Sequence, residues 1–104
     1  MATIVNGMRA IHPGEVLREE FLLPMGITAN ALAIALQVPA PRINDVAREK
    51  RGISADTALR LARYFGTSAE LWMGLQADYD LKTSAQGLKA ALKRIHPRKD
   101  LPTA

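Results

Sequence analysis

The chain has 104 residues, of which 48% are hydrophobic and 5% aromatic, a size and composition that suit one small domain with a modest core. It contains no cysteine, which excludes disulfide bonds and thiolate metal sites. No apolar run is long enough to span a bilayer and no signal-peptide pattern opens the sequence, so we expect a cytoplasmic protein without a membrane partner. The formal net charge of +4 is compatible with a nucleic-acid partner but does not establish one.

The first predicted element is a helix from Pro13 to Leu23. Residues 1–10 lack helical periodicity and are expected to form a flexible N-terminal arm. His12 is expected to cap this helix at its N-terminus. Pro24 is expected to end it, with Gly26 in the turn that follows.

The stretch from Thr28 to Arg51 predicts a helix-turn-helix. Thr28 is a suitable N-cap for the first helix of the pair. Pro39 ends that helix near Gln37 or Val38, and Pro41 suits the first turn of the second. The apolar positions predicted to hold the pair together are Leu32, Ala33, Leu36, Val38, Ile43 and Val46. The same spacing also fits an ordinary pair of packed helices, but the polar second helix and the basic residues after it favour DNA binding.

Two or three further helices are predicted. The fourth begins after Ser54, and its buried stripe consists of Ala58, Leu61, Ala62 and Phe65. Ser68 is expected to cap the fifth. Thr83 with Gln86 resembles a capping box, so either a sixth helix begins there or the fifth kinks. The predicted fold is therefore all-α, with five or six helices. Residues 11–82 form the helix-turn-helix domain, residues 83–96 a C-terminal helix that could mediate dimerisation, and residues 97–104 a flexible tail.

Eight polar residues are candidates for contacts with double-stranded DNA. Arg42 and Asn44 are the predicted base readers, because Arg pairs bidentately with guanine and Asn with adenine. Asp45 is expected to orient Arg42 or Arg48, with a hydrogen bond from cytosine N4 as the alternative. The candidates for phosphate contacts are Thr28 and Asn30 at the start of the first helix of the helix-turn-helix, and Arg48, Lys50 and Arg51 after its second helix. Helix capping and solvated surface charge are the alternative roles for these residues.

Five apolar residues are candidates for a dimer interface: Leu71, Trp72, Leu75, Tyr79 and Leu88. Their spacing fits a hydrophobic core equally well, and the sequence does not separate the two. From Lys82 to Lys99 there are six basic residues and no acidic one. This region is interpreted as the solvated face of a dimer helix, with a second DNA anchor or an amphipathic segment for a membrane or a partner as alternatives.

The sequence has no recognisable catalytic or metal-binding constellation. His12 and His96 are the only histidines, they are far apart, and no carboxylate cluster accompanies them at a ligand spacing. No glycine-rich phosphate loop occurs. We therefore expect a protein that is not an enzyme and that needs no cofactor.

Two segments carry a family resemblance that covers about Arg9 to Leu81. They are HPGEVLREEFLLPMGIT and LAIALQVPAPRINDVAREKRGISADTALRLARYFGTSAELWMGLQADYDL. Both closely resemble the HigA antitoxins, also called the virulence-associated protein I (VapI) group, within the lambda-repressor-like helix-turn-helix class. One departure is the turn Pro39-Ala40-Pro41, which is stiffer and less polar than is typical of the family.

The resemblance implies a homodimeric repressor that pairs through its C-terminal helices and binds a palindromic operator upstream of its own operon. It also implies a complex with a HigB-type toxin, a RelE-like endoribonuclease that cuts mRNA on the ribosome. The alternatives are a stand-alone transcriptional regulator and a protein–protein module that has lost DNA binding.

Overall fold

The computed structural model describes residues 9–100, and within these the helices are joined by short turns and loops, without a β-strand. The predicted all-α class is confirmed. The expectations for residues 1–8 and 101–104 lie outside the described part. The six helices are α1 (Pro13–Met25), α2 (Ala29–Leu36), α3 (Ala40–Ala47), α4 (Ala55–Phe65), α5 (Ala69–Gly87) and α6 (Lys89–Lys93).

Side-chain caps begin four of these helices, at the residues that the sequence predicts. Nδ1 of His12 accepts a hydrogen bond from the Gly14 N–H at 2.8 Å. The hydroxyls of Thr28, Ser54 and Ser68 accept from backbone N–H groups three residues ahead, at 3.0, 3.3 and 3.0 Å. Each cap satisfies a donor that the first helical turn would otherwise leave without a partner.

Helix α1 passes through Pro24, although the sequence predicts that this proline ends it. Its middle section, Leu17–Leu22, is a π-helix, and the helix continues to Met25 before Gly26 ends it with φ of 65°. A proline ring clashes with the carbonyl four residues earlier in an α-helix. The wider π turn changes the hydrogen-bond register, so the Leu23 N–H donates to the Arg18 carbonyl. The prediction was wrong because it assumed α-helical geometry before the proline.

The turn between α2 and α3 is closed by backbone hydrogen bonds as well as by the prolines. Gln37 adopts a left-handed conformation with φ of 60°. The Val38 N–H donates to the Ala33 carbonyl at 3.0 Å, and the Gln37 N–H donates to the Ile34 carbonyl at 3.1 Å. This is the Schellman pattern of helix termination. The predicted boundary near Gln37 is confirmed.

The core lies where α1 to α5 meet. The largest fully buried side chains are Trp72, Leu17, Leu32, Ile43, Leu61 and Val46. Phe21 packs against both Phe65 and Trp72, with ring centroids 4.7 and 5.1 Å apart. Burying a side chain of this size stabilises the fold by roughly 1.5–3 kcal/mol. The predicted inner faces of α2, α3 and α4 all contribute to this core.

Trp72 belongs to this core and not to a dimer interface. Its side chain is 0% exposed in a single chain, and its indole N–H donates to the Thr67 hydroxyl at 2.9 Å. It therefore has no surface left for a partner, which corrects the candidate role given above. Leu71 and Leu75 pack partly against the core, and the Tyr79 ring meets the His12 ring edge-on at 4.8 Å.

No new helix begins at Thr83. The Thr83 hydroxyl donates to the Tyr79 and Asp80 carbonyls within α5, so it does not act as an N-cap. The break comes at Leu88, between α5 and α6. Within residues 9–100 no single helix is long and apolar enough to cross a bilayer; α1 and α2 reach that composition only as a pair bent by 96°.

Candidate nucleic-acid interface

Helix α3 is held in place by the start of α1. A Cβ at position 14 would lie 2.9 Å from the Val46 carbonyl carbon, so only glycine permits this approach of the two backbones. The Arg18 guanidinium donates to the Ala47 carbonyl at 2.5 Å and to the Glu49 carboxylate at 3.2 Å. A cation at this end of α3 satisfies an unpaired carbonyl and complements the helix dipole.

The solvent-facing strip of α3 consists of Pro41 and Asp45, and Arg48, the residue that follows the helix, continues it at position i+7. Pro41 and Arg48 are exposed, and Asp45 is partly exposed. The two predicted base readers, Arg42 and Asn44, lie on opposite flanks of this strip, because residues two apart in an α-helix project in nearly opposite directions. Each flank is tied to a different neighbouring helix.

Asn44 is tied to the start of α2. Its amide N–H donates to the Asn30 side-chain oxygen at 2.7 Å and to the Ala40 carbonyl at 3.0 Å. The two asparagines, fourteen residues apart in the sequence, therefore form one polar group across the helix-turn-helix. Thr28, whose hydroxyl caps the same helix, is exposed two residues before Asn30.

Arg42 is tied to the start of α4. Its guanidinium donates to the Asp56 carboxylate at 2.6 Å, and Arg60 donates to the same oxygen at 2.7 Å. These hydrogen bonds, the one from Arg60 first and then the one from Arg42, hold the pKa of Asp56 below its ordinary value. Asp56 therefore carries a negative charge beside the solvent-facing strip of α3 at neutral pH.

The basic loop, defined as Arg48 to Arg51, follows α3. Its backbone turns at Glu49, which has φ of 64°, and the Lys50 N–H donates to the Asp45 carbonyl at 2.8 Å. Arg51 lies 3.6 Å from the Asp45 carboxylate, so the arginine beside Asp45 is neither Arg42, which pairs with Asp56, nor Arg48, the two partners that the sequence suggested. Arg48 and Lys50 are exposed and form no ion pair within residues 9–100.

The residues that follow the basic loop contact α5. The side-chain oxygen of Gln76 accepts a hydrogen bond from the Ile53 N–H at 2.6 Å. A Cβ at Gly52 would lie 2.8 Å from that oxygen, so the glycine leaves room for the glutamine. This contact links the loop to the helix that carries Trp72.

Four polar residues that support this surface were missed by the sequence reasoning: Arg18, Asp56 as a partner of α3, Arg60 and Gln76. The i, i+4 spacing of Asp56 and Arg60 was the only available signal. Arg18 and Gln76 contact residues 23 to 31 positions away, which no local pattern indicates. Residues 9–100 contain no group of three or more His, Asp or Glu side chains arranged to hold a metal ion.

Known proteins share the sequence and the fold of this chain. A helix-turn-helix family model matches residues 17–72, which include α2, α3 and α4. Virulence-associated protein I of Dichelobacter nodosus is 62% identical over 81 residues, which are 78% of this chain and 75% of that protein. The Pseudomonas aeruginosa antitoxin HigA, solved with the higBA promoter, superposes with a TM-score of 0.84 at 53% identity, over 86% of this chain and 98% of that one. The chain belongs to the HigA antitoxin family.

A second HigA-type structure extends the match towards the C-terminus. The antitoxin GraA in complex with its operator superposes with a TM-score of 0.84 at 45% identity, over 95% of this chain and all of that one. The predicted resemblance to the HigA and VapI group is thus confirmed, as is the lambda-repressor-like fold. The HigA family consists of DNA-binding regulators and is not an enzyme class.

Proposed function

We propose that this HigA-family chain is a homodimeric antitoxin that binds a palindromic operator, represses its own operon and neutralises a HigB-type toxin by forming a complex with it. The observation that carries the DNA-binding part is the recognition face of α3. Asp45 and Arg48 lie on its solvent strip, and Arg42 and Asn44 are oriented on its two flanks. Two relatives of the same fold were solved with promoter or operator DNA, which supports this role.

The proposed contacts divide into two classes. Arg42 and Asn44 read base edges, and Asp45 orients Arg51. The residues proposed to contact the phosphate backbone are Thr28, Asn30, Arg48, Lys50 and Arg51. Phosphate contacts set register and affinity, whereas base contacts discriminate between sequences, so the two classes differ in an experiment.

The proposed dimer forms through an apolar stripe on α5 and on the residues that follow. Leu81, Leu88, Leu92 and Ile95 are between 49% and 72% exposed in a single chain. They recur at successive steps of seven, four and three residues, a heptad-like spacing in the sequence. In the structure they lie on α5, at the break after it, on α6 and just beyond α6. Leu88 is thus a stronger interface candidate than Leu71 or Leu75, which pack partly against the core.

A gel-shift titration tests DNA binding on the duplex immediately upstream of the gene and on a scrambled duplex. Arg42→Ala and Asn44→Ala should reduce the operator preference by about 5- to 100-fold each. Lys50→Ala and Arg51→Ala should weaken both duplexes alike and reduce the salt slope by about 0.9 each. Arg63→Ala removes the same charge from the far end of α4 and should leave the preference unchanged. Equal losses on both duplexes for all four variants would contradict the assigned roles.

Toxin neutralisation is tested with the neighbouring upstream reading frame. Co-expression of a small RelE-like product from that frame should yield a stable complex, and added antitoxin should suppress mRNA cleavage by the isolated toxin. A chain that binds its operator but has no such neighbour, or that does not bind its product, would instead be a stand-alone regulator.

A further inference from the structure

A three-residue polar network connects the recognition helix to the two helices beside it. Oδ1 of Asp56 on α4 accepts from Arg42 on α3 at 2.6 Å and from Arg60 on α4 at 2.7 Å. A further N–H of Arg60 donates to the Leu36 carbonyl at the end of α2, at 2.7 Å. One carboxylate oxygen of Asp56 therefore holds the Arg42 side chain on one flank of α3.

The network does little for folding stability. All three side chains are about a third to a half exposed, and exposed ion pairs contribute little to stability because solvent screens them. Its main physical effect is on Arg42 itself. An arginine held at one N–H has fewer rotamers, so it loses less entropy when it binds, and it keeps donors for a bidentate contact with a guanine edge.

The Asp56 carboxylate also changes what Arg42 can bind. An exposed arginine beside DNA can satisfy itself on any phosphate, and such contacts carry no sequence information. A carboxylate at 2.6 Å neutralises that arginine locally and repels phosphate oxygens. A hydrogen-bonded guanine edge, which is uncharged, is not repelled in this way.

We propose that Asp56 is a positioning residue that sets operator specificity, by holding Arg42 in the base-reading orientation and away from non-specific phosphate contacts. This inference rests on the proposed operator-binding function. It assigns the orientation of Arg42 to Asp56 on α4, because α3 itself has no carboxylate that pairs with Arg42 within residues 9–100.

The test compares Asp56→Asn with Asp100→Asn, on the upstream duplex and on a scrambled duplex of equal composition. Asp100 forms an ion pair with Arg98 at 2.6 Å, so both substitutions remove one negative charge beside an arginine. Asp56→Asn releases Arg42 and also removes one contact of Arg60, which keeps its hydrogen bond to the Leu36 carbonyl. Asp56→Asn should bind the scrambled duplex about threefold more tightly, with a salt slope steeper by about one, because the released Arg42 gains a phosphate contact. Its preference for the upstream duplex should fall about tenfold. Asp100→Asn should affect both duplexes alike.

A second comparison shows whether Asp56 acts through Arg42. In a base-pair substitution scan of the operator, Asp56→Asn and Arg42→Ala should relax discrimination at the same base pairs. In an Arg42→Ala background, Asp56→Asn should change the preference no more than Asp100→Asn does. Thermal melting of each variant separates a loss of folded protein from a loss of discrimination.

Two outcomes would overturn the role of Asp56: a preference that falls no further than in Asp100→Asn, or an equal fall in the presence and absence of Arg42. A wild-type protein that binds both duplexes equally contradicts the proposed function itself, and the role of Asp56 falls with it. The wild-type measurement thus distinguishes the two failures.

Discussion

Alanine at position 14 would add one methyl group where the start of α1 meets the end of α3. The added Cβ would lie 2.9 Å from the Val46 carbonyl carbon and 3.0 Å from Nδ1 of His12, with the Val46 carbonyl oxygen closer still. Non-bonded carbon atoms prefer separations of about 3.5–4.0 Å, so the two helices must separate by at least about half an ångström.

Neither neighbour of this methyl group can move aside cheaply. The Val46 carbonyl accepts the Glu49 N–H at 2.9 Å, and Nδ1 of His12 accepts the Gly14 N–H at 2.8 Å. Overpacking costs about 1–3 kcal/mol, and because the obstacles are a backbone carbonyl and a helix cap, we expect about 3 kcal/mol. For a domain of this size that corresponds to a Tm lower by about 12–24 °C.

Calorimetric or circular-dichroism melting of Gly14→Ala measures the change in Tm. A DNA titration well below the Tm measures how far the displacement of α3 lowers the affinity for DNA. We expect weaker operator binding even where the variant is folded. The matched control is Gly74→Ala on α5, where an added Cβ meets nothing within 4 Å. That variant should be neutral or more stable by up to about 1 kcal/mol. A Gly14→Ala protein that melts within about 2 °C of the wild type would refute the reasoning.

Three further predictions concern other contacts. Burial holds the pKa of His12 below its ordinary value of 6.5, so the unfolded chain takes up this proton at a higher pH than the folded chain. Stability in urea should therefore decline as pH falls below about 6.5, and His12→Asn, a cap that does not titrate in this range, should lessen the decline between about pH 6.5 and 5. Gln76→Ala leaves the Ile53 N–H without its partner and should cost about 1–3 kcal/mol in the same assay, whereas unchanged stability would mean that water replaces the glutamine. Leu88→Glu should convert dimers into monomers in sedimentation, while Leu59→Glu, at a more exposed leucine of α4, should not; an unchanged mass for Leu88→Glu would place the interface elsewhere.

Local patterns were sufficient to predict most of the helices. Each of His12, Thr28, Ser54 and Ser68 caps a helix, because a cap depends on one side chain and the backbone three residues ahead or fewer. The apolar stripes on α2, α3 and α4 are buried because a period of 3.6 residues places them on one face. The passage of α1 through Pro24 was not predicted, because the π-helical register before the proline overrode the local signal. Around Thr83 the sequence left open a new helix or a kinked fifth helix, and the structure shows that α5 continues to Gly87.

For the candidate site too, local features were predictable from the sequence and long-range contacts were not. Its residue types and approximate location were evident from the sequence, since polar and basic side chains follow a helix-turn-helix pattern. The residue-to-residue connections were not, because they join positions that are far apart along the chain. Asp56 orients Arg42 from α4, Asn30 orients Asn44 from α2, and Arg18 secures the end of α3 from α1.

The sequence by itself therefore determined most of the helices, their caps, the family and the composition of the proposed recognition face. Only the tertiary structure decided how the side chains of that face are oriented, whether Trp72 lies in the core, and which leucines stay exposed. The physical reason is that capping and amphipathicity are local properties of the chain. Burial and cross-helix hydrogen bonds instead depend on which helices meet, and the close approach of Gly14 to Val46 is one of the contacts that set that arrangement.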